Sequence, residues 1–209
     1  MALPPASPRK LSHTRTVVYR GYDREDGLWD IEAELSDVKP YTFQVQSEPP
    51  FPAELPIHHL SIRLTLDDQM LIHAVQTDMM RIPHAECVQA PVNMQSLVGC
   101  RIGRGWRRTV QEHIGGTAGC THLRELLFNI ATAAYQTLPS GQWHRREQQG
   151  LPHPAADPKG GETPFHLGQC MTWALESPTV ARTYPMFYRP KEAPKAQATP
   201  NAEPPEKQA

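Results

Sequence analysis

The tightest constraint on this chain is the alternation from Leu28 to Leu35, which puts Trp29, Ile31, Ala33 and Leu35 on one face and Asp30, Glu32 and Glu34 on the other. A period of two is that of a β-strand with one face buried and one solvated. A lone hairpin is marginal in water, so a strand of this kind requires further partners. They are present on both sides. Thr16, Val17, Val18 and Tyr19 are β-branched or aromatic and precede it across the turn signal Asp26-Gly27. Residues 41–45 read as a third short strand, residues 60–66 alternate again, and Asp67-Asp68 turns them into residues 70–76. The expectation is a meander of about five antiparallel strands.

The second half changes period. Leu97, Trp106, Val110 and Ile114 carry helical spacing, interrupted by residues 99–105. The glycine-rich stretch Gly115-Gly116-Thr117-Ala118-Gly119-Cys120-Thr121-His122 then leads into Leu123, Leu126, Leu127, Ile130, Ala131 and Ala134, an apolar stripe on one helix face. Thr121 or Gly119 could begin that helix, with Cys120 and His122 in or beside its first turn. Residues 137–162 hold many polar residues, glycines and prolines and read as a long connection. Order is expected to return at residues 164–174 and 180–188. The fold class is therefore α+β, an N-terminal antiparallel meander followed by a helical C-terminal half packed on it. Residues 1–12 read as a disordered arm, 13–188 as a single domain, and 189–209 as a disordered tail rich in Pro, Lys, Ala and Glu.

Composition excludes several function classes. A net charge of −1 supplies no field that would draw the chain to nucleic acid or an anionic membrane, leaving a protein or small molecule as its expected, unidentified partner. No apolar run approaches the ~18 residues of a membrane span, and no signal segment opens the chain, so a cytoplasmic location is expected. The four cysteines, Cys87, Cys100, Cys120 and Cys170, form no close pair and read as reduced thiols. Arg101, Arg104, Arg107 and Arg108 cluster locally and read as a solvated helix face, and His73 as an exposed strand residue. His58 and His59 are neighbours at a strand mouth, so at most one of them can face a given site.

Several strings together resemble a bacterial family known only as domain of unknown function 2889. They are His13-Thr14-Arg15, Asp26-Gly27-Leu28-Trp29-Asp30-Ile31-Glu32 with Leu35, Asp37 and Lys39, Pro56-Ile57-His58, Asp67, Pro83, Cys87, Leu97-Val98-Gly99, Gly105-Trp106, and Gly115-Gly116 with Gly119-Cys120-Thr121-His122-Leu123. The resemblance extends over about residues 13–188, with Cys170 and residues 180–188 matching the family's end. His59 and Leu60 depart from its pattern, which has an acidic residue and Met there. The resemblance implies a shared domain and no particular reaction.

Cys87, Cys120, His122 and Cys170 fall on positions that the family pattern shares, and chemistry must be argued from the side chains themselves. Three thiols and an imidazole are a sufficient tetrahedral set for zinc, and with His58 in reserve the same set could hold an iron–sulfur cluster, as in iron–sulfur scaffold proteins. Asp30 or Glu32 would then support the ligands. A second chemistry uses Cys120 as a nucleophile, activated by the helix N-terminus and by His122 or His58, in acyl or thiol transfer, with the amides of residues 115–119 holding an oxyanion. A third reading is an accessory or interaction domain whose cysteines are small buried groups.

Overall fold

The computed structural model describes residues 3–46, 48–151, 163–164 and 166–191. They divide into two compact units, Met1–Gly150 and Leu151–Ala209.

The first unit is built on a four-stranded antiparallel meander, β1 (Thr14–Asp23), β2 (Trp29–Val38), β3 (His58–Leu66) and β4 (Ile72–Arg81), in the order β1-β2-β3-β4. The alternation in β2 does what its period requires. Trp29, Ile31, Ala33 and Leu35 are buried, and the residues between them are half exposed. Leu60, Ile62, Leu64 and Leu66 of β3 continue that apolar face, which the buried side of a 28-residue helix covers. That helix, here α2 (Thr121–Gln148) after α1 (Trp106–Ile114), packs on β1, β2 and β3 and buries Leu123, Leu126, Leu127, Ile130, Ala134 and Leu138. Each Å² of apolar surface that this contact removes from water stabilises the unit by about 25 cal/mol.

Two expectations are corrected here. Residues 41–45 do not form a strand: Phe43 and Phe51 make a single bridge, with reciprocal backbone bonds of 3.1 and 2.8 Å, so the sheet has four strands. Pro40, Pro49, Pro50 and Pro52 flank that bridge and have no N–H to extend a ladder. Residues 137–148, read as connection, instead continue α2 through Pro139. Tertiary contact overrides the local breakers. Gly21 and Gly141 let sheet and helix approach: a Cβ on Gly21 would lie 1.9 Å from Thr137 Oγ1, and one on Gly141 would lie 2.4 Å from the Trp29 ring. One turn on, the Arg145 guanidinium lies 3.8 Å from the Trp29 ring centroid, ion-pairs with Asp23 and donates to the carbonyls of Gly27 and Leu28. Residues 152–162 of the expected connection lie outside the described residues, as do 192–209 of the expected tail. Of the expected N-terminal arm, residues 3–12 carry no helix or strand and stand exposed.

The second unit holds a short helix, α3 (Pro178–Thr183), capped by Ser177, whose Oγ accepts from the Val180 amide at 3.1 Å. Leu167, Val180 and Tyr184 form its core with Trp173, Leu175 and Phe187 packed around them.

The Gly21 contact is testable. Gly21→Ala should destabilise the chain by about 1–3 kcal/mol in urea unfolding, the usual cost of overpacking. Adding Thr137→Ala, which removes the two nearest atoms, should recover part of the loss. Additive losses in the double variant would contradict the close approach.

Candidate functional site

The site begins with strand parity. Asp37 is in phase with Trp29, Ile31, Ala33 and Leu35, so β2 carries a carboxylate onto its buried face, where the residue is 2% exposed. Register places Arg15 of β1 opposite it on one side and His58 of β3 on the other, a row of three polar side chains across three strands. A buried carboxylate needs donors, and this one has them on both oxygens. Arg15 donates through Nε to Oδ1 at 2.8 Å and through Nη2 to Oδ2 at 3.0 Å. His13 Nε2 lies 2.9 Å from Oδ1, and His58 Nδ1 lies 3.1 Å from Oδ2. Arg15 also reaches Glu125 of α2 at 2.6 Å, joining sheet and helix at the row.

The glycine-rich turn delivers the remaining groups. Residues 116–118 make one 3-10 turn, Gly119 is extended, and Cys120 is the N-cap of α2. Arg124 holds the turn by donating to the carbonyls of Ile114 and Gly116 at 3.2 and 3.0 Å. His122 therefore projects back over the sheet. Its Nδ1 is 3.6 Å from Cys120 Sγ, its Nε2 is 3.9 Å from Asp37 Oδ2, and its ring centroid is 3.9 Å from that of His58.

The charges at this site are mutually dependent. Burial alone would raise the Cys120 thiol, but the His122 imidazole and the backbone N–H groups of Leu123 and His122 outweigh it and bring the thiol below its ordinary value. The same contact with Cys120 raises His122 against burial. The two shifts, the thiol down and its imidazole up, both run toward a thiolate–imidazolium pair. His58 moves the other way, since burial and then the positive charge on His122 lower it despite the nearby carboxylate. For Asp37, burial is opposed by Arg15 and His13, and the carboxyl is held below its ordinary range.

The residues singled out from sequence are distributed unevenly around this row. His58, His122 and Cys120 come together. Cys87 sits half-buried on the 3-10 helix Ala85–Gln89, Cys100 lies 3.6 Å from His113, and Cys170 is exposed in the second unit. Asp30 and Glu32 occupy the opposite parity of β2 and pair there with Arg24, Thr65 and Arg63. The acidic group at the imidazoles is Asp37. Its signal was in the sequence as a charged residue in step with four apolar ones. His59 points away from the site to Glu34 at 2.8 Å, as adjacent strand positions require. Within residues 115–119 the amide of Ala118 is bonded to the Gly115 carbonyl, and the amides of His122 and Leu123 reach the sulfur. The arginine cluster is engaged locally: Arg101 donates to the Gln69 carbonyl, Arg107 stacks on Phe128, and Arg108 pairs with Glu112.

Among the described residues, one group of three potential metal ligands lies within mutual reach: Asp37, His58 and His122, with their donor atoms inside 4.8 Å. Both oxygens of Asp37 already accept from Arg15, however, and a guanidinium beside the carboxylate repels a cation.

The chain is thus an α+β protein with a Cys–His–Asp cluster where a helix N-terminus meets a sheet. The family described as "Protein of unknown function (DUF2889)" matches residues 13–136, and the chain belongs to it. The matched segment contains the whole Asp37 cluster and ends before Cys170. No curated protein and no solved structure matches. No helix among the described residues is long and apolar enough to cross a membrane.

The Asp37 carboxylate carries a pH signature. Its pKa is lowered on folding, so its contribution is complete above the ordinary value near 3.9 and is lost as pH falls through the lower folded value. Asp37→Asn should cost on the order of 2 kcal/mol in urea unfolding at pH 7, and the gap to the wild type should narrow progressively as pH falls below about 4. A gap of the same size at pH 3 would contradict this role.

Proposed function

We propose that this domain is a thiol-dependent group-transfer protein in which Cys120 is the nucleophile and His122 holds it as a thiolate. The observation that carries the reading is the chain of contacts from sulfur to carboxylate: Cys120 Sγ to His122 Nδ1 at 3.6 Å, then His122 Nε2 to Asp37 Oδ2 at 3.9 Å. Two features that activate cysteines, a partner imidazole and a helix N-terminus, coincide at this sulfur. The chemistry that suits it is displacement at an activated carbonyl, in which the thiolate attacks, the N–H groups of His122 and Leu123 stand by the reacting centre, and the leaving group departs. A bacterial cytoplasm, which keeps thiols reduced, is the setting in which such a residue persists.

The alternative is a metal-binding accessory domain. It is favoured by the mutual reach of Asp37, His58 and His122, with Cys120 in contact with His122. Zinc or iron would suit those donors. Arg15 would have to release Asp37 for the ion to enter.

Competitive labelling separates the two. With iodoacetamide at pH 7, Cys120 should be alkylated roughly tenfold or more faster than Cys87, Cys100 and Cys170, read peptide by peptide by mass spectrometry. His122→Gln, which removes Nδ1 from the sulfur, should abolish that advantage and raise the pH midpoint of the reaction. Labelling of Cys120 no faster than exposed Cys170, together with about one equivalent of zinc or iron lost in Asp37→Ala, would overturn the thiol reading in favour of the metal.

A further inference from the structure

The two imidazoles on Asp37 are not equivalent. A carboxylate only accepts hydrogen bonds, so the 3.1 Å contact assigns a proton to His58 Nδ1, and in the neutral ring the lone pair is then on Nε2. His122 has its Nδ1 turned to sulfur and stands 3.9 Å from the carboxylate, beyond hydrogen-bond range. The carboxylate therefore fixes the tautomer and plane of His58 more tightly than those of His122. The His58 ring lies against that of His122, and its side chain retains 19% exposure. An oriented carboxylate–imidazole pair thus lies against the imidazole that contacts the Cys120 sulfur.

We propose that His58 is the general base of the second half of the transfer, taking the proton of the incoming acceptor while His122 serves the sulfur. This deepens the reading of Cys120 as nucleophile and rests on it. With water as the simplest acceptor, the oxygen attacks the acyl carbon held on Cys120, and the proton passes from that oxygen to His58 Nε2. The carbon–sulfur bond breaks, its electron pair returns to Cys120 as thiolate beside His122, and the acid leaves. His58 then gives its proton to solvent. Asp37 orients the base throughout and is not itself protonated.

The test uses the full chain and p-nitrophenyl acetate as probe. The wild type should release a burst of about one equivalent of nitrophenolate and then turn over slowly, and Cys120→Ala should lose the burst. His58→Asn places an amide N–H where Nδ1 stood, keeping a donor for Asp37 while deleting Nε2. It should keep the burst, lose about 10²-fold or more of the steady-state rate, and regain rate with added imidazole. His58→Gln, which retains bulk at the far end of the ring, gives a second test should His58→Asn lose its circular dichroism signature. Steady-state turnover at the wild-type rate in the folded variants, with the burst intact, would overturn the role of His58 alone. Turnover abolished by a chelator would assign His58 to a metal and also overturn it. Absence of a Cys120-dependent burst from the wild type would overturn the nucleophile and, with it, this inference.

Discussion

Everything at this end of the molecule depends on one buried carboxylate. Moving a charged group out of water costs several kcal/mol unless donors replace the solvent, and Asp37 is 2% exposed. The bidentate guanidinium of Arg15 and the imidazoles of His13 and His58 supply those donors, one to each side of both oxygens. Three of the four bonds come from the residues opposite Asp37 on the neighbouring strands, Arg15 and His58, so the pairing that forms the sheet also builds the row. The carboxylate thereby couples fold to chemistry: one of the groups that stabilises it, His58, lies against His122, the imidazole that faces the thiol.

The other half of the site depends on where α2 starts and how it is held down. Its N-terminus must arrive over the row, and its direction is fixed farther along, where Thr137 crosses Gly21 and where Gly141 and Arg145 close on Trp29. These contacts are far from Cys120 in sequence, yet they set the line of the helix that presents it. Arg15 ties the two halves together, with one edge of its guanidinium on Asp37 and its remaining nitrogen on Glu125.

Much of this was legible in the chain before any coordinates. The alternation in β2, the meander and the helix after Gly119-Cys120 follow from periodicity, because burial enforces a period of two in strands and of 3.6 in helices. The separation of His58 from His59 follows from the same rule. What stayed hidden was long-range. Pro139 and Gly141 signal a break locally, and only the Trp29 ring and Thr137 explain why the helix runs on through them. The thiols attracted attention as a set, yet no spacing in the sequence says which of them share a neighbourhood. Asp37 was visible as a strand-end acid, and its buried position could have been inferred from parity. The more conspicuous acidic row, Asp30 and Glu32, stands on the other face of the sheet.

The two imidazoles hold their protons differently around one carboxylate: His58 donates to Asp37 through Nδ1, and His122 turns its Nδ1 to sulfur. Long-range nitrogen-15 NMR of histidine-labelled protein across neutral pH reads this directly, because the two ring nitrogens report tautomer and charge separately. His58 should appear as the neutral Nδ1–H tautomer, and His122 should keep its second proton to a higher pH than His58 does. Asp37→Asn should erase the difference in tautomer. Two neutral Nε2–H rings with a common titration, unchanged by Asp37→Asn, would contradict the central claim.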